Sequence, residues 1–216
     1  MYQKHPSAAL NALFRERPFQ GAVPEQAQFL FVGLDANYAA AIEESLVYAS
    51  LVEYHRDGVS FWHRHGVHHP FLLPAYRGDG RRYHLNFARI GFRPEDASRV
   101  SFVELLHVPT VGRNTLETSD LDPTHLKWLE SLIASGNSRH VFVSASVARL
   151  MLASGRFPWA TRSGPSSHAL PLLHSRGATE VRLHLHFSNY GKFQARLDQE
   201  ASEIYRLAQA ATAEAQ

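Results

Sequence analysis

The sequence predicts an α/β fold: a three-layer sandwich in which a central, mainly parallel four-stranded sheet is flanked by helices. Three observations predict it. Four short segments read as strands, three as apolar runs of the kind covered on both faces and the last as an alternating, half-exposed one. Segments with apolar residues at helical spacing lie between those strands, which favours parallel crossovers. The 216 residues are 44% hydrophobic, enough for one domain that removes roughly 70% of its unfolded surface from water. Residues 1–216 read as a single domain without internal repeats or a long linker.

The strands follow in chain order. Gln28 to Val32 is a short apolar run ended by Gly33, and Val100 to Leu106 is a second, ended by Pro109. His140 to Ser144 is rich in β-branched residues. Glu180 to Phe187 alternates, with Val181, Leu183 and Leu185 assigned to one face and Arg182, His184 and His186 to the other. Helices are expected over Ala39 to His55, Arg82 to Ile90, Ser146 to Ala153 and Lys192 to Ala211. Another starts at the Asp122-Pro123 cap and runs through Leu126, Leu129, Leu132 and Ile133 until Gly136 stops it. Arg77 to Arg82 and Arg162 to His168 look flexible, and Ala208 to Gln216 looks like a fraying helix end.

Composition removes several classes of function. The 13 Gly and 11 Pro are ordinary and exclude collagen-like and disordered chains. No apolar run approaches the roughly 20 residues of a membrane helix, and the first residues lack the apolar core of a secretory signal. The absence of cysteine excludes disulfides, a thiolate nucleophile and Cys-ligated zinc or iron–sulfur sites, and fits a cytoplasmic protein. The formal charge of +2 carries no global nucleic-acid signature, but 19 Arg stand against 3 Lys, with 14 His. Arg forks suit phosphates and carboxylates; codon bias would leave the same count.

In parallel sheets ligands bind beyond the carboxyl ends of the strands. After the first strand stands Gly33-Leu34-Asp35-Ala36-Asn37, after the second His107-Val108-Pro109-Thr110, and after the last His186-Phe187-Ser188-Asn189-Tyr190. Asp35 and His186 would thus share one edge, where a carboxylate and an imidazole can stabilise opposite charges in one transition state. Asp35 reads equally as a helix N-cap, and His186 as a hydrogen-bonded sheet histidine.

These residues carry a resemblance to the uracil-DNA glycosylase superfamily. Gly33-Leu34-Asp35 is similar to that family's first loop, and His186-x-Ser188 to its late loop. Ser101 to Thr110 and Arg82 to Phe92 look like segments of its mismatch-specific branch, in the same order. The resemblance implies a monomeric, metal-free and cofactor-free base-excision enzyme acting on DNA with a modified or mispaired base. Such an enzyme flips a nucleotide into a pocket and hydrolyses its N-glycosidic bond. It implies that Asp35 positions the water and that His186 stabilises the leaving base. Gly33, Leu34, Asn37, Phe71 and Glu104 would line the base pocket, with Phe61, Trp62 and Tyr76 as competitors for the stacking role of Phe71. Ser188 and Asn189 would meet DNA, Tyr190 would wedge into the base stack, and Arg113 would touch phosphate. Tyr190 also reads as an ordinary loop tyrosine and Arg113 as a surface charge.

The chain departs from that pattern in places. Ala36 and Asn37 replace a Pro-Tyr pair, which weakens exclusion of thymine, and Phe187 replaces a proline. Glu104 stands where the uracil-specific branch has an asparagine. An ionised glutamate offers acceptors only and so argues against plain uracil; a raised pKa would restore a donor, and a one-residue slip would turn Glu104 away altogether. Trp62 to Pro70 holds His63, His65, His68 and His69, with Gly66 suggesting a loop. It reads as a basic nucleic-acid surface, as a metal site, or as incidental histidines. Two other functions stay open: a nucleic-acid or nucleotide binding module that has lost or changed its catalysis, and a His-rich metal-dependent hydrolase.

Overall fold

The computed structural model describes residues 2–112, 115–135, 139–161 and 168–213. The fold is α/β. Its main sheet has six strands rather than the expected four and is mixed, in the order β1-β4-β2-β6-β8-β7. These strands are β1 (Phe19–Gly21), β2 (Phe29–Gly33), β4 (Val100–Glu104), β6 (His140–Ser144), β7 (Leu172–Arg176) and β8 (Thr179–His184). The four expected strands form the parallel centre, β4-β2-β6-β8. Antiparallel β1 and β7 add the two edges. A separate two-stranded sheet pairs β3 (Asn37–Tyr38) with β5 (Thr110–Val111).

The centre is covered on both faces because side chains alternate along each strand. Leu30, Val32, Val103, Val141, Val143 and Val181 pack under α5 (Pro123–Ala134) and α6 (Ala145–Ala153). Phe29, Phe31, Phe102 and Phe142 face α3 (Gly58–His65), α4 (Arg81–Ala88) and α7 (Gln194–Ala213). Phe31 is the hub of that second face, within 6 Å of the rings of Phe87, Phe102, Phe142 and Phe187. The chain crosses from β2 to β4 over the phenylalanine face and reaches β6 and β8 over the aliphatic one. The connections therefore diverge beside β2, where a crevice forms at the strands' carboxyl ends.

Several expected boundaries shift for local reasons. The helix expected over Ala39 to His55 is a short 3-10 turn followed by α2 (Tyr48–Arg56). The stretch read as a loop around Gly66 begins as the end of α3, through His65, and Gly66 is that helix's left-handed C-terminal cap at φ 69°. The helix α1 (Ala8–Glu16) was not anticipated; Ser7 caps it by accepting from the Leu10 N–H. The last parallel strand ends at His184, so Leu185 joins the phenylalanine face instead of following Val181 and Leu183. The last helix continues to Ala213, with Ala208 buried, rather than fraying from Ala208. Asp122 caps α5 as expected, by accepting from the His125 N–H at 2.7 Å. Gly136, the 162–167 stretch and 214–216 lie outside the described residues. No helix among the described residues is long and apolar enough to cross a membrane.

Truncating the hub should cost what a buried aromatic costs. Phe31→Ala is expected to lower the unfolding free energy by about 3–5 kcal/mol in urea titrations. Leu46→Ala, at a side chain 86% exposed, is expected to stay within about 0.5 kcal/mol of wild type.

Candidate functional site

Beyond Gly33 and Glu104 the chain leaves the sheet but stays paired. The N–H groups of Leu105, Leu106 and Thr110 donate to the carbonyls of Gly33, Leu34 and Ala36 at 2.9–3.0 Å. The segments after β2 and β4 therefore run side by side and bring Asp35, Glu104 and Thr110 together. The buried Thr110 hydroxyl donates to the Asp35 carboxylate and accepts from the Asn37 amide at 3.0 Å. Asn37 also donates to the Gly112 carbonyl at 2.7 Å, so its amide ties β3 to β5. Thr110 is the member of this network that the sequence left without a role, although it follows a strand end.

A cavity of about 640 Å³ opens at this edge. Among the residues expected at the site, Gly33, Leu34, Asp35, Asn37, Phe71, Glu104, His186 and Ser188 line it. Asn189 and Tyr190 lie in the adjoining loop but not on its wall, and Arg113 is outside the described residues. Phe71 already has Tyr76 stacked on one face, at 4.1 Å between ring centroids. Of its competitors, Trp62 is buried in the phenylalanine-face core and Phe61 packs on Tyr54 and His65. The exposed Tyr190 ring lies under the Arg82 guanidinium at 4.1 Å.

Glu104 occupies the space left by the missing side chain of Gly33. A Cβ there would fall 1.9 Å from Glu104 Oε2. The carboxyl faces the cavity, not the opposite side of the strand that a one-residue slip would give. Burial, with the nearby Asp35 carboxylate adding to it, pushes Glu104 up to about 8. Glu104 is thus mainly a neutral acid at pH 7, with one donor and one acceptor. The raised value restores the donor that an ionised glutamate would lack.

Opposite lies the loop after β8. Its backbone is held from two helices: Asn86 of α4 donates to the carbonyls of Phe187 and Asn189, and Glu200 of α7 accepts from the Leu185 N–H at 2.7 Å. Within it, His186 Nδ1 accepts from the Ser188 N–H at 3.3 Å and lies 2.6 Å from the Ser188 hydroxyl. That places the proton of the neutral ring on Nε2. Burial holds His186 below its ordinary value, against the pull of the Asp35 carboxylate. Neither Asn86 nor Glu200 had a signal in the sequence, since each acts across the fold.

The histidine-rich stretch divides. His63 and His65 sit on α3, with His65 against Glu53, while His68 and His69 turn inward to His84. Among the described residues no group of three or more His, Asp or Glu is arranged to hold a metal ion.

Glu104 makes stability depend on pH. Its folded value lies above its ordinary 4.5, so its contribution is complete below pH 4.5 and is lost as the pH rises toward 8. Glu104→Gln keeps a neutral donor and acceptor without this titration. The variant's melting temperature is expected to gain on wild type between pH 5 and pH 8 by at least about 2–4 °C, the shift that 1 kcal/mol makes in a chain of this size. Parallel melting curves across that range would contradict the assignment. No protein-family model, no curated protein and no solved structure matches this chain.

Proposed function

We propose that this chain is a divergent member of the uracil-DNA glycosylase superfamily that hydrolyses the N-glycosidic bond of a flipped, damaged or deaminated base in DNA. One observation carries the reading: a carboxylate and a neutral, Nε2-protonated imidazole, Asp35 and His186, open onto one cavity at the carboxyl ends of parallel strands. In this reading Asp35, oriented by Thr110, holds a water against C1′ of the sugar and favours the positive charge that develops there. The water oxygen bonds to C1′ as the C1′–N bond breaks. The base leaves with the bonding pair, and the water's proton passes to Asp35 and solvent. His186 Nε2–H donates to the departing base as it becomes anionic. A neutral donor suits that step, since it strengthens with the charge instead of binding a phosphate in advance.

Glu104 supplies recognition. A carboxylic acid can donate to a base carbonyl and accept from the neighbouring ring N–H, so it pairs with a lactam edge, which deamination of cytosine or adenine creates and which thymine and guanine already carry. Uracil, hypoxanthine and xanthine share that edge, and cytosine and adenine lack it. Ser188 and the Arg82-backed Tyr190 stand beside the cavity mouth, where the DNA backbone and base stack would lie.

The test is an abasic-site assay with EDTA present. Labelled oligonucleotides carry each candidate base, and hot alkali cuts at any abasic site. Lactam bases are expected to be released. Asp35→Asn is expected to slow single-turnover release by roughly 10²–10⁴-fold while changing DNA affinity far less. Binding without release of any base would make the chain a nucleic-acid binding module instead.

A further inference from the structure

The cavity is unbalanced in charge. Among the described residues Asp35, Asp79 and Glu104 line it, and no Lys or Arg does. Its imidazoles add no positive charge, because burial holds His69, His84 and His186 below the ordinary histidine range. A base that leaves as an anion therefore emerges beside acidic side chains, with only neutral hydrogen-bond donors to meet it. Negative charge set beside negative charge in a partly buried site is unfavourable. A proton delivered to the base as the bond breaks removes that penalty.

Glu104 is placed to deliver it. Its carboxyl lies over Gly33, two residues before Asp35, so the two acids share one wall. The carboxyl oxygens of Glu104 have no hydrogen-bond or ion-pair partner among the described residues. The groups within electrostatic reach from other elements carry no positive charge either. Tyr38 of β3, Tyr54 of α2 and Tyr83 of α4 are phenols that burial holds above their ordinary range. His125 of α5, kept below its ordinary value by burial, donates to the Glu104 backbone carbonyl at 2.8 Å. With a second carboxyl beside it and no cation to hold it ionised, Glu104 keeps its proton at neutral pH.

We propose that Glu104 is the general acid of the reaction, transferring its proton to the base carbonyl as the C1′–N bond breaks so that the base departs neutral. This rests on the glycosylase reading and adds a step to it. The bonding pair moves into the base and spreads onto its carbonyl oxygen. That oxygen takes the proton from Glu104, and the base leaves as its hydroxy tautomer. The water oxygen bonds to C1′, and the water's proton goes to Asp35. Glu104 is then the carboxylate and Asp35 the acid. Return of one proton from Asp35 to Glu104 restores the starting state. The pair thus carries one proton and one negative charge at every stage, as two neighbouring carboxyls favour. His186 Nε2–H meets the charge while the proton is in transit.

The experiment measures single-turnover release, and affinity for the same duplex, by wild type and Glu104→Gln between pH 6 and pH 10. The duplexes carry uracil, hypoxanthine or 5-fluorouracil. Glutamine keeps a donor and an acceptor, so recognition remains, but it has no proton to transfer. Glu104→Gln is expected to release base about 100-fold more slowly at pH 6, with duplex affinity unchanged. The gap should close above about pH 8, by about tenfold per pH unit, because wild type loses its acid form and the variant has none to lose. It should also narrow for 5-fluorouracil, whose electron-withdrawing fluorine lets the base leave without a proton. Release by Glu104→Gln at the wild-type rate, or a gap unmoved by either pH or fluorine, overturns the acid role and leaves the glycosylase reading standing. Release of no base by wild type overturns both.

Discussion

Everything at this site depends on β2 and β4 remaining paired after the sheet ends. In an open parallel sheet the crevice forms where connections leave neighbouring strands toward opposite faces. Here three backbone hydrogen bonds continue the pairing through Gly33, Leu34 and Ala36. The approach is close enough that Gly33 must lack a side chain, since Glu104 fills its place. One backbone constraint therefore sets two carboxyl groups into the same wall. Their proximity and burial then divide their roles: Glu104 keeps its proton, while Asp35 accepts the Thr110 hydroxyl. Two acids distinguished by environment are a recurrent way to obtain a donor and a carboxylate from similar side chains.

The facing wall is fixed differently. The loop bearing His186 has few backbone partners within the sheet, so side chains from elsewhere hold it: Asn86 from α4 and Glu200 from α7. Helices that cover the phenylalanine face thereby also hold the loop that carries His186 at the cavity. The stability of the core and the geometry of the site are coupled through Phe187, which packs against Phe31 and Phe87 directly beside His186.

The central strands were legible because a strand buried on both faces is a short apolar run, as in β2, β4 and β6, and because β8 alternates in the manner of a half-buried strand. The edges were not. β1 is three residues, Phe-Gln-Gly, and β7 is the polar-ended Leu-Leu-His-Ser-Arg, whose turn signal is Gly177 at φ 58°. α3 was hidden by Gly66, a residue that marks a loop or a helix end with equal force. At the site, Asp35 and His186 could be placed on one edge by the rule for parallel sheets, whereas Glu104 was placed only through the resemblance and with a register slip left open. The protonation of Glu104 could not be read, because it follows from burial and from a neighbour 69 positions away in the chain. His69 was visible only as one of four histidines. Its separation from His63 and His65 comes from the direction in which the chain turns after Gly66.

The central claim is that this cavity receives a base with Asp35 at the sugar and His186 at the leaving group. The most direct measurement is a crystal structure of the Asp35→Asn variant with a duplex carrying a single deoxyinosine. The account predicts the hypoxanthine extruded into the cavity, with His186 Nε2 and the Glu104 carboxyl within hydrogen-bond distance of its ring. A bound duplex with that base still stacked, or seated elsewhere on the protein, would contradict it.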